Sequence, residues 1–251
     1  MTNGVVYIAV GNIKYIKECI FSAKSLKQFC PDLSITLFTD NTSIRSSCFD
    51  SIKFINDEIN PMKIKVKYLC ESPYQKTLFL DSDTQVKAPL YEMFNELDEF
   101  DIGLASYPKI DRNYIPAKLV SYEQENLYNT GVVLFKDSIP TTKFFQKWLD
   151  AVMLQNSSDM WAGHYCDQHY FNELIANGTH YECGVNLKLL PNKLYNVRPP
   201  MISPLIKTGE IKQAKIIHCH NLHRSFLARQ GIRILDRISR ERKKKLSFKE
   251  D

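Results

Sequence analysis

The sequence predicts an α/β fold: a mixed, mainly parallel, twisted sheet flanked by helices. Two observations carry this. The first forty residues read as strand, helix and strand, the βαβ pattern that parallel sheets are built from. Short apolar runs then recur between helical patterns along the rest of the chain, with no repeat, low-complexity segment or linker to divide it.

Val5–Val10 is an apolar, β-branched run punctuated by Gly11 and Asn12. Ile13, Ile16, Ile20, Ala23, Leu26 and Phe29 follow at helical spacing, and Pro31 stops that helix. Leu33, Ile35 and Leu37 alternate as a second strand ending at Thr39-Asp40. Ser51–Ile55 reads as a third strand and Lys63–Leu69 as a helix. Thr77–Leu80 is a short buried strand that ends in Asp81-Ser82-Asp83. Pro89–Leu97 reads as a helix with its proline early, where a missing N–H costs little. Ile102–Ala105 and Val132–Phe135 read as strands, and Thr141–Leu154 as an aromatic-rich helix packed through Phe144, Phe145 and Trp148. A helix over Asp167–Ile175 and late strands at Val185–Leu190 and Lys215–Ile217 complete the pattern. Residues 107–128 and 156–166 lack a clear period, and loops of that length are often functional.

Composition narrows the function classes. The net charge is +5, and from Arg237 onward seven lysines and arginines stand against three acids. Most of the excess therefore sits in a basic tail, 236–251, after a single domain of residues 1–235. A near-neutral domain argues against a nucleic-acid-binding surface. The tail is expected to be a solvated helix or to touch an anionic membrane surface weakly. The seven cysteines are scattered without a C-x-x-C, which indicates reduced thiols and neither a disulfide framework nor a zinc ribbon. With no signal-peptide pattern and no membrane-length apolar run, the expected location is cytoplasmic, at most peripheral to a membrane. Neither G-x-G-x-x-G nor G-x-x-x-x-G-K-[ST] occurs, so dinucleotide dehydrogenases and P-loop ATPases are poorly supported.

The chemistry centres on Asp81 and Asp83. A bare D-x-D arises roughly once per chain by chance. Its place is more informative, because ligands of α/β sheets collect beyond the carboxyl ends of strands. Two carboxylates there can share Mg²⁺ or Mn²⁺ with substrate phosphates. An ordinary solvated turn before the next helix accounts for the motif equally well. His218 follows the apolar pair Ile216-Ile217, where a neutral imidazole could complete a metal site or simply be structural. His220 alternates to the opposite face if the segment stays extended, and His223 lies beyond it.

The segment from Ser72 to Thr84, Ser-Pro-Tyr-Gln-Lys-Thr-Leu-Phe-Leu-Asp-Ser-Asp-Thr, resembles the metal-binding segment of nucleotide-diphospho-sugar transferases with the GT-A fold. The nearest resemblance is to glycosyltransferase family 8, the group of glycogenin and bacterial galactosyltransferases. Tyr128-Asn129-Thr130-Gly131-Val132-Val133 resembles that group's Asn-Ser-Gly segment, and Cys166-Asp167-Gln168 its Asp-Gln helix start. Residues 216–226 resemble its His-x-x-Gly-x-x-Lys-Pro-Trp segment, with Asn221 for Gly, Arg224 for Lys and Ser225-Phe226 for Pro-Trp. Arg for Lys keeps the charge but changes the hydrogen-bond geometry, which marks a divergent branch.

The resemblance implies a GT-A fold with a Rossmann-like nucleotide-binding half. It implies transfer of a hexose from a nucleoside diphosphate sugar, with UDP as the expected nucleotide, to an acceptor hydroxyl with retention. Asp81, Asp83 and His218 would hold Mn²⁺, or Mg²⁺. Lys65 and Arg224 would face the donor phosphates. Asn129, Asp167 and Gln168 would act at the transferred sugar, with Gly131 and Ser82 close to the donor. Ala9, Tyr15 and Asp40 would form the nucleotide edge. The acceptor stays open among glycan, protein, lipid and small molecule. Two alternatives remain: a sugar-phosphate nucleotidyltransferase, disfavoured by the single glycine between Val5 and Tyr15, and a non-catalytic sugar-nucleotide or glycan-binding module.

Overall fold

The computed structural model describes residues 2–57, 63–106, 127–154 and 167–223. Most of the two long aperiodic stretches, Arg224 and the basic tail lie outside the described residues. The chain opens with β1 (Asn3–Ala9), α1 (Ile13–Phe29), β2 (Ser34–Thr39), β3 (Ser51–Phe54), α2 (Ile64–Cys70), β4 (Lys76–Leu80) and β5 (Thr84–Val86). A 3₁₀ segment, Tyr91–Asp98, leads to β6 (Ile102–Ser106) and β7 (Tyr128–Lys136). Then come α3 (Ile139–Met153), α4 (Asp167–Ala176), α5 (Thr179–Glu182), β8 (Leu187–Leu190), α6 (Asn192–Tyr195), α7 (Pro199–Thr208), a 3₁₀ turn at Glu210–Gln213 and β9 (Ile216–His218).

Seven strands form one sheet in the order β3-β2-β1-β4-β7-β6-β8. Within it β7 runs antiparallel to both its neighbours, and every other pair is parallel. The central strands are apolar at consecutive positions because helices cover both faces. Val5 and Tyr7 of β1 pack with Cys19, Ala23 and Leu26 of α1. Val6 and Phe79 face the other way, into the cluster of Val66, Phe144, Trp148 and Phe171 from α2, α3 and α4. Ser138 caps α3, its hydroxyl accepting from Thr141 N at 3.3 Å.

The helix expected at Pro89–Leu97 is instead a 3₁₀ segment beginning at Tyr91. Within it, Phe94 O accepts from the buried Lys76 Nζ at 2.9 Å. The strand expected at Val132–Phe135 begins four residues earlier, at Tyr128. Both backbone groups of Tyr128 are held by the buried Asn172 side chain, which accepts from N at 2.7 Å and donates to O at 2.9 Å.

Strand β5 has no counterpart in the expected pattern. It pairs antiparallel with β9 in a small second sheet, with Thr84 opposite His218. The turn before β5 is tied to α1 through a buried hydroxyl chain. Tyr7 Oη lies 2.8 Å from Ser22 Oγ, which lies 2.7 Å from Thr84 Oγ1, and that hydroxyl donates to Asp81 O at 2.8 Å.

Trp148 Nε1–H donates to Asp167 O at 2.8 Å and fixes the start of α4 against α3. Trp148→Phe keeps most of the apolar surface but loses this bond. The expected cost is about 1–2 kcal/mol, read as a lower urea midpoint at unchanged slope.

Candidate metal and donor site

The parallel strands β1, β2 and β4 end together at one edge, with Ala9 opposite Thr39 and Val6 opposite Phe79. Antiparallel β7 begins there, and Asp81 N donates to Gly131 O at 2.8 Å. The D-x-D turn and the Asn129-Thr130-Gly131 segment are thus brought side by side by sheet register. His218 arrives from β9, locked by Cys219 N donating to Asp83 O at 2.9 Å.

Asp81, Asp83 and His218 each offer one ligand atom, all within 4.8 Å of one another. His218 Nε2 lies 3.2 Å from Asp83 Oδ1 and 3.7 Å from Asp81 Oδ2. Asp83 and His218 are buried, whereas the Asp81 side chain stays 31% exposed, enough to face an arriving ligand. Burial pushes the Asp83 carboxyl upward, but the His218 and His220 imidazoles outweigh it and hold the group well below the usual carboxylate range. Asp81 is raised, chiefly by burial, with Lys65 and His218 opposing and the neighbouring Asp83 and Asp167 charges adding to the rise.

This donor set suits a divalent cation, since two carboxylates and an imidazole accept Mn²⁺ readily and Mg²⁺ less so through the nitrogen. Gly131 lines the same space. A Cβ there would sit 2.1 Å from His218 Cε1 and 2.7 Å from Asp81 Oδ2, so only glycine lets the backbone come this close.

Lys65, on α2, binds Asp167 Oδ2 at 2.8 Å and Thr130 O at 2.9 Å, with Asp81 Oδ1 at 3.7 Å. Asp167 also accepts from Thr130 Oγ1 at 2.8 Å. Gln168 Oε1 accepts from Asn129 Nδ2 at 2.8 Å and from Thr130 N at 3.2 Å. Lys65, Asp81, Asp83, Asn129, Gly131, Asp167, Gln168 and His218 therefore converge on one site, with Ser82 in its turn. Ala9, Tyr15 and Asp40 form a second group at the same sheet edge, around the loop after β1. Asp40 Oδ2 accepts from Gly11 N at 2.8 Å, and Tyr15 is 37% exposed on the first turn of α1.

Three contacts were not legible in the sequence. His220, expected to point away, lies with Nδ1 2.9 Å from Asp83 Oδ2. The chain turns after β9, with Asn221 at φ 64°, so strand alternation does not apply there. Asn196 Oδ1 lies 2.9 Å from His218 Nδ1, and Arg198 Nη1 lies 3.4 Å from both ring nitrogens. Both residues stand in an irregular stretch without periodicity. Its only strand-like signal is the apolar Val197, which bridges to Ile217 and carries them to the site.

Among curated proteins, none matches this chain by sequence. Solved structures share its fold. The galactosyltransferase LgtC, in complex with donor and acceptor sugar analogs, is 16% identical over 88% of this chain and 88% of its own, with a TM-score of 0.58. The glycosyltransferase GlyE of Streptococcus pneumoniae is 18% identical over 90% of this chain and 55% of its own, with a TM-score of 0.57. Mouse xyloside xylosyltransferase 1 is 14% identical over 90% of this chain and 100% of its own, with a TM-score of 0.55. These likenesses establish the GT-A fold. The nucleotide-diphospho-sugar transferase profile matches residues 77–219, from the strand before Asp81 to the residue after His218. That span is more than half of the chain, which is therefore a member of the nucleotide-diphospho-sugar transferase family.

Proposed function

We propose that this transferase moves a hexose from a UDP-sugar to an acceptor hydroxyl, with retention at the anomeric carbon and with Mn²⁺ as its preferred ion. The observation that carries the reading is the meeting of Asp81, Asp83 and His218 around the side-chain-free surface of Gly131. A divalent cation held there would neutralise the charge that develops on the departing diphosphate. The bond from the anomeric carbon to the diphosphate oxygen breaks with its electrons going to the leaving group. The acceptor oxygen bonds to the anomeric carbon in its place, and its proton passes to the departing diphosphate.

Asp167, Gln168 and Asn129 lie beside the ion site, where they would orient the transferred sugar. Lys65 holds Asp167 and balances the charge of Asp81. Arg224 would add a positive charge at the diphosphate from the segment after His223. Ala9, Tyr15 and Asp40 would receive the nucleotide at the neighbouring strand ends, and the exposed Tyr15 ring supports this as a face on which a base could stack. The acceptor is a hydroxyl compound of open class. A cytoplasmic setting fits the free thiols of the described cysteines, and no described helix is long and apolar enough to cross a membrane.

A thermal-shift experiment tests the donor assignment. UDP with Mn²⁺ should raise the melting temperature, because ligand bound to the native state stabilises it by mass action. With EDTA the shift should largely disappear. Equal shifts in both conditions would refute metal-assisted donor binding, and turnover only with pyrophosphate would favour a nucleotidyltransferase.

A further inference from the structure

A buried chain of side-chain amides runs from the ion site towards the sugar-facing helix. Asn196 is fully buried, and it sits between His218 and Asn129. Its Oδ1 lies 2.9 Å from His218 Nδ1, and its Nδ2 donates to Asn129 Oδ1 at 2.8 Å. Asn129 Nδ2 donates in turn to Gln168 Oε1.

The direction of these bonds follows from the backbone. An N–H of the main chain can only donate, whereas a side-chain amide could be turned either way. Gly131 N reaches Asn129 Oδ1 at 3.2 Å, which identifies that atom as the oxygen. Thr130 N reaches Gln168 Oε1 at 3.2 Å and fixes the second amide likewise. With an oxygen of Asn129 facing it, Asn196 must present its NH₂ there and its carbonyl to His218. The imidazole can then meet that carbonyl favourably only through an Nδ1–H. With the proton on Nδ1, Nε2 is left free to share a cation with the carboxylates of Asp81 and Asp83, which lie 3.7 and 3.2 Å from it.

We infer that Asn196 is a positioning residue for the ion site: its carbonyl holds His218 in the Nδ1–H tautomer and fixes the ring so that Nε2 can coordinate a divalent cation. The polarity is set by the amides of Thr130 and Gly131, so the β7 segment that lines the site also orients its most distant ligand. Outer partners of metal-bound histidines act in this way generally. Asn196 has this role only if His218 is a ligand, as proposed above.

Three variants separate the two ideas: Asn196→Leu, which keeps size but has neither acceptor nor donor; Asn196→Asp, which keeps an acceptor opposite Nδ1 but loses the donor to Asn129 Oδ1; and His218→Ala. Mn²⁺ affinity is measured in the presence of UDP by electron paramagnetic resonance, with melting curves as the folding check. Asn196→Leu should weaken Mn²⁺ binding by about 10- to 100-fold, and Asn196→Asp, which loses the donor to Asn129 but keeps the acceptor opposite Nδ1, by clearly less. If His218→Ala leaves the affinity unchanged, the ion site itself is wrong. If His218→Ala weakens it but Asn196→Leu does not, the positioning role alone is overturned. Equal losses in the Leu and Asp variants would point to packing and would also overturn it. Should Asn196→Leu fail to fold, the unmodified protein decides. Nitrogen-15 spectra of its Zn²⁺–UDP complex should show the His218 proton on Nδ1 and the metal on Nε2. The reverse arrangement would sink the assignment.

Discussion

Gly131→Ala is expected to abolish metal-assisted donor binding in a protein that still folds. The added Cβ would lie 2.1 Å from His218 Cε1, 2.8 Å from His218 Nδ1 and 2.7 Å from Asp81 Oδ2. None of these neighbours can retreat cheaply. His218 is buried and tied to Asn196, and the Asp81 backbone is bonded to Gly131 O. Overpacking of this kind costs about 1–3 kcal/mol of stability. The larger expected effect is on function, because the methyl group would occupy the space between two candidate ligands. Mn²⁺-supported UDP affinity should fall by at least about 100-fold, equivalent to about 2.7 kcal/mol. Calorimetric titration of the folded variant measures this. Affinity close to the parent value would show that the cation does not lie against β7.

His218→Ala and Asp83→Asn should each lower sugar transfer by about 1,000-fold, equivalent to about 4 kcal/mol of transition-state stabilisation. Both side chains are buried at the site, and His218 Nε2 lies 3.2 Å from Asp83 Oδ1. Neither variant needs to disturb the sheet core, since the residues sit beyond strand ends. His220→Ala provides the contrast. The His220 side chain is 70% exposed and pairs with Asp83 Oδ2, so this pairing is screened by water. Its loss should reduce transfer by less than about tenfold. Donor hydrolysis rates of the three variants with Mn²⁺ check the order. A larger loss in His220→Ala than in His218→Ala would mean that the ion is held by the other histidine.

The sequence by itself determined the fold class and the first half of the site. Val5–Val10, the Ile13-to-Phe29 periodicity and Thr77–Leu80 specify elements through local hydrophobic spacing, and these became β1, α1 and β4. Asp81 and Asp83 were legible because they are two residues apart at a strand end. His218 was legible as a strand-end imidazole after Ile216-Ile217, but its link to Asp81, like the positions of Asp167 and Gln168, entered through ordered resemblance, since no local rule joins residues so far apart in the chain. Tertiary structure decided what meets what. The β5–β9 pairing sets His218 opposite Thr84, and such short strands carry too few residues to show a period. His220 lies past the end of β9, in the turn that follows, and meets Asp83 against the alternation that an extended chain would impose. Asn196 is the clearest case. An asparagine in an irregular stretch has no pattern of its own, and its importance comes from Oδ1 and Nδ2 meeting His218 and Asn129 at once. Hydrophobic periodicity records which face of an element is buried. The pairing of buried polar groups depends on distances between elements, and those exist only after the sheet has formed.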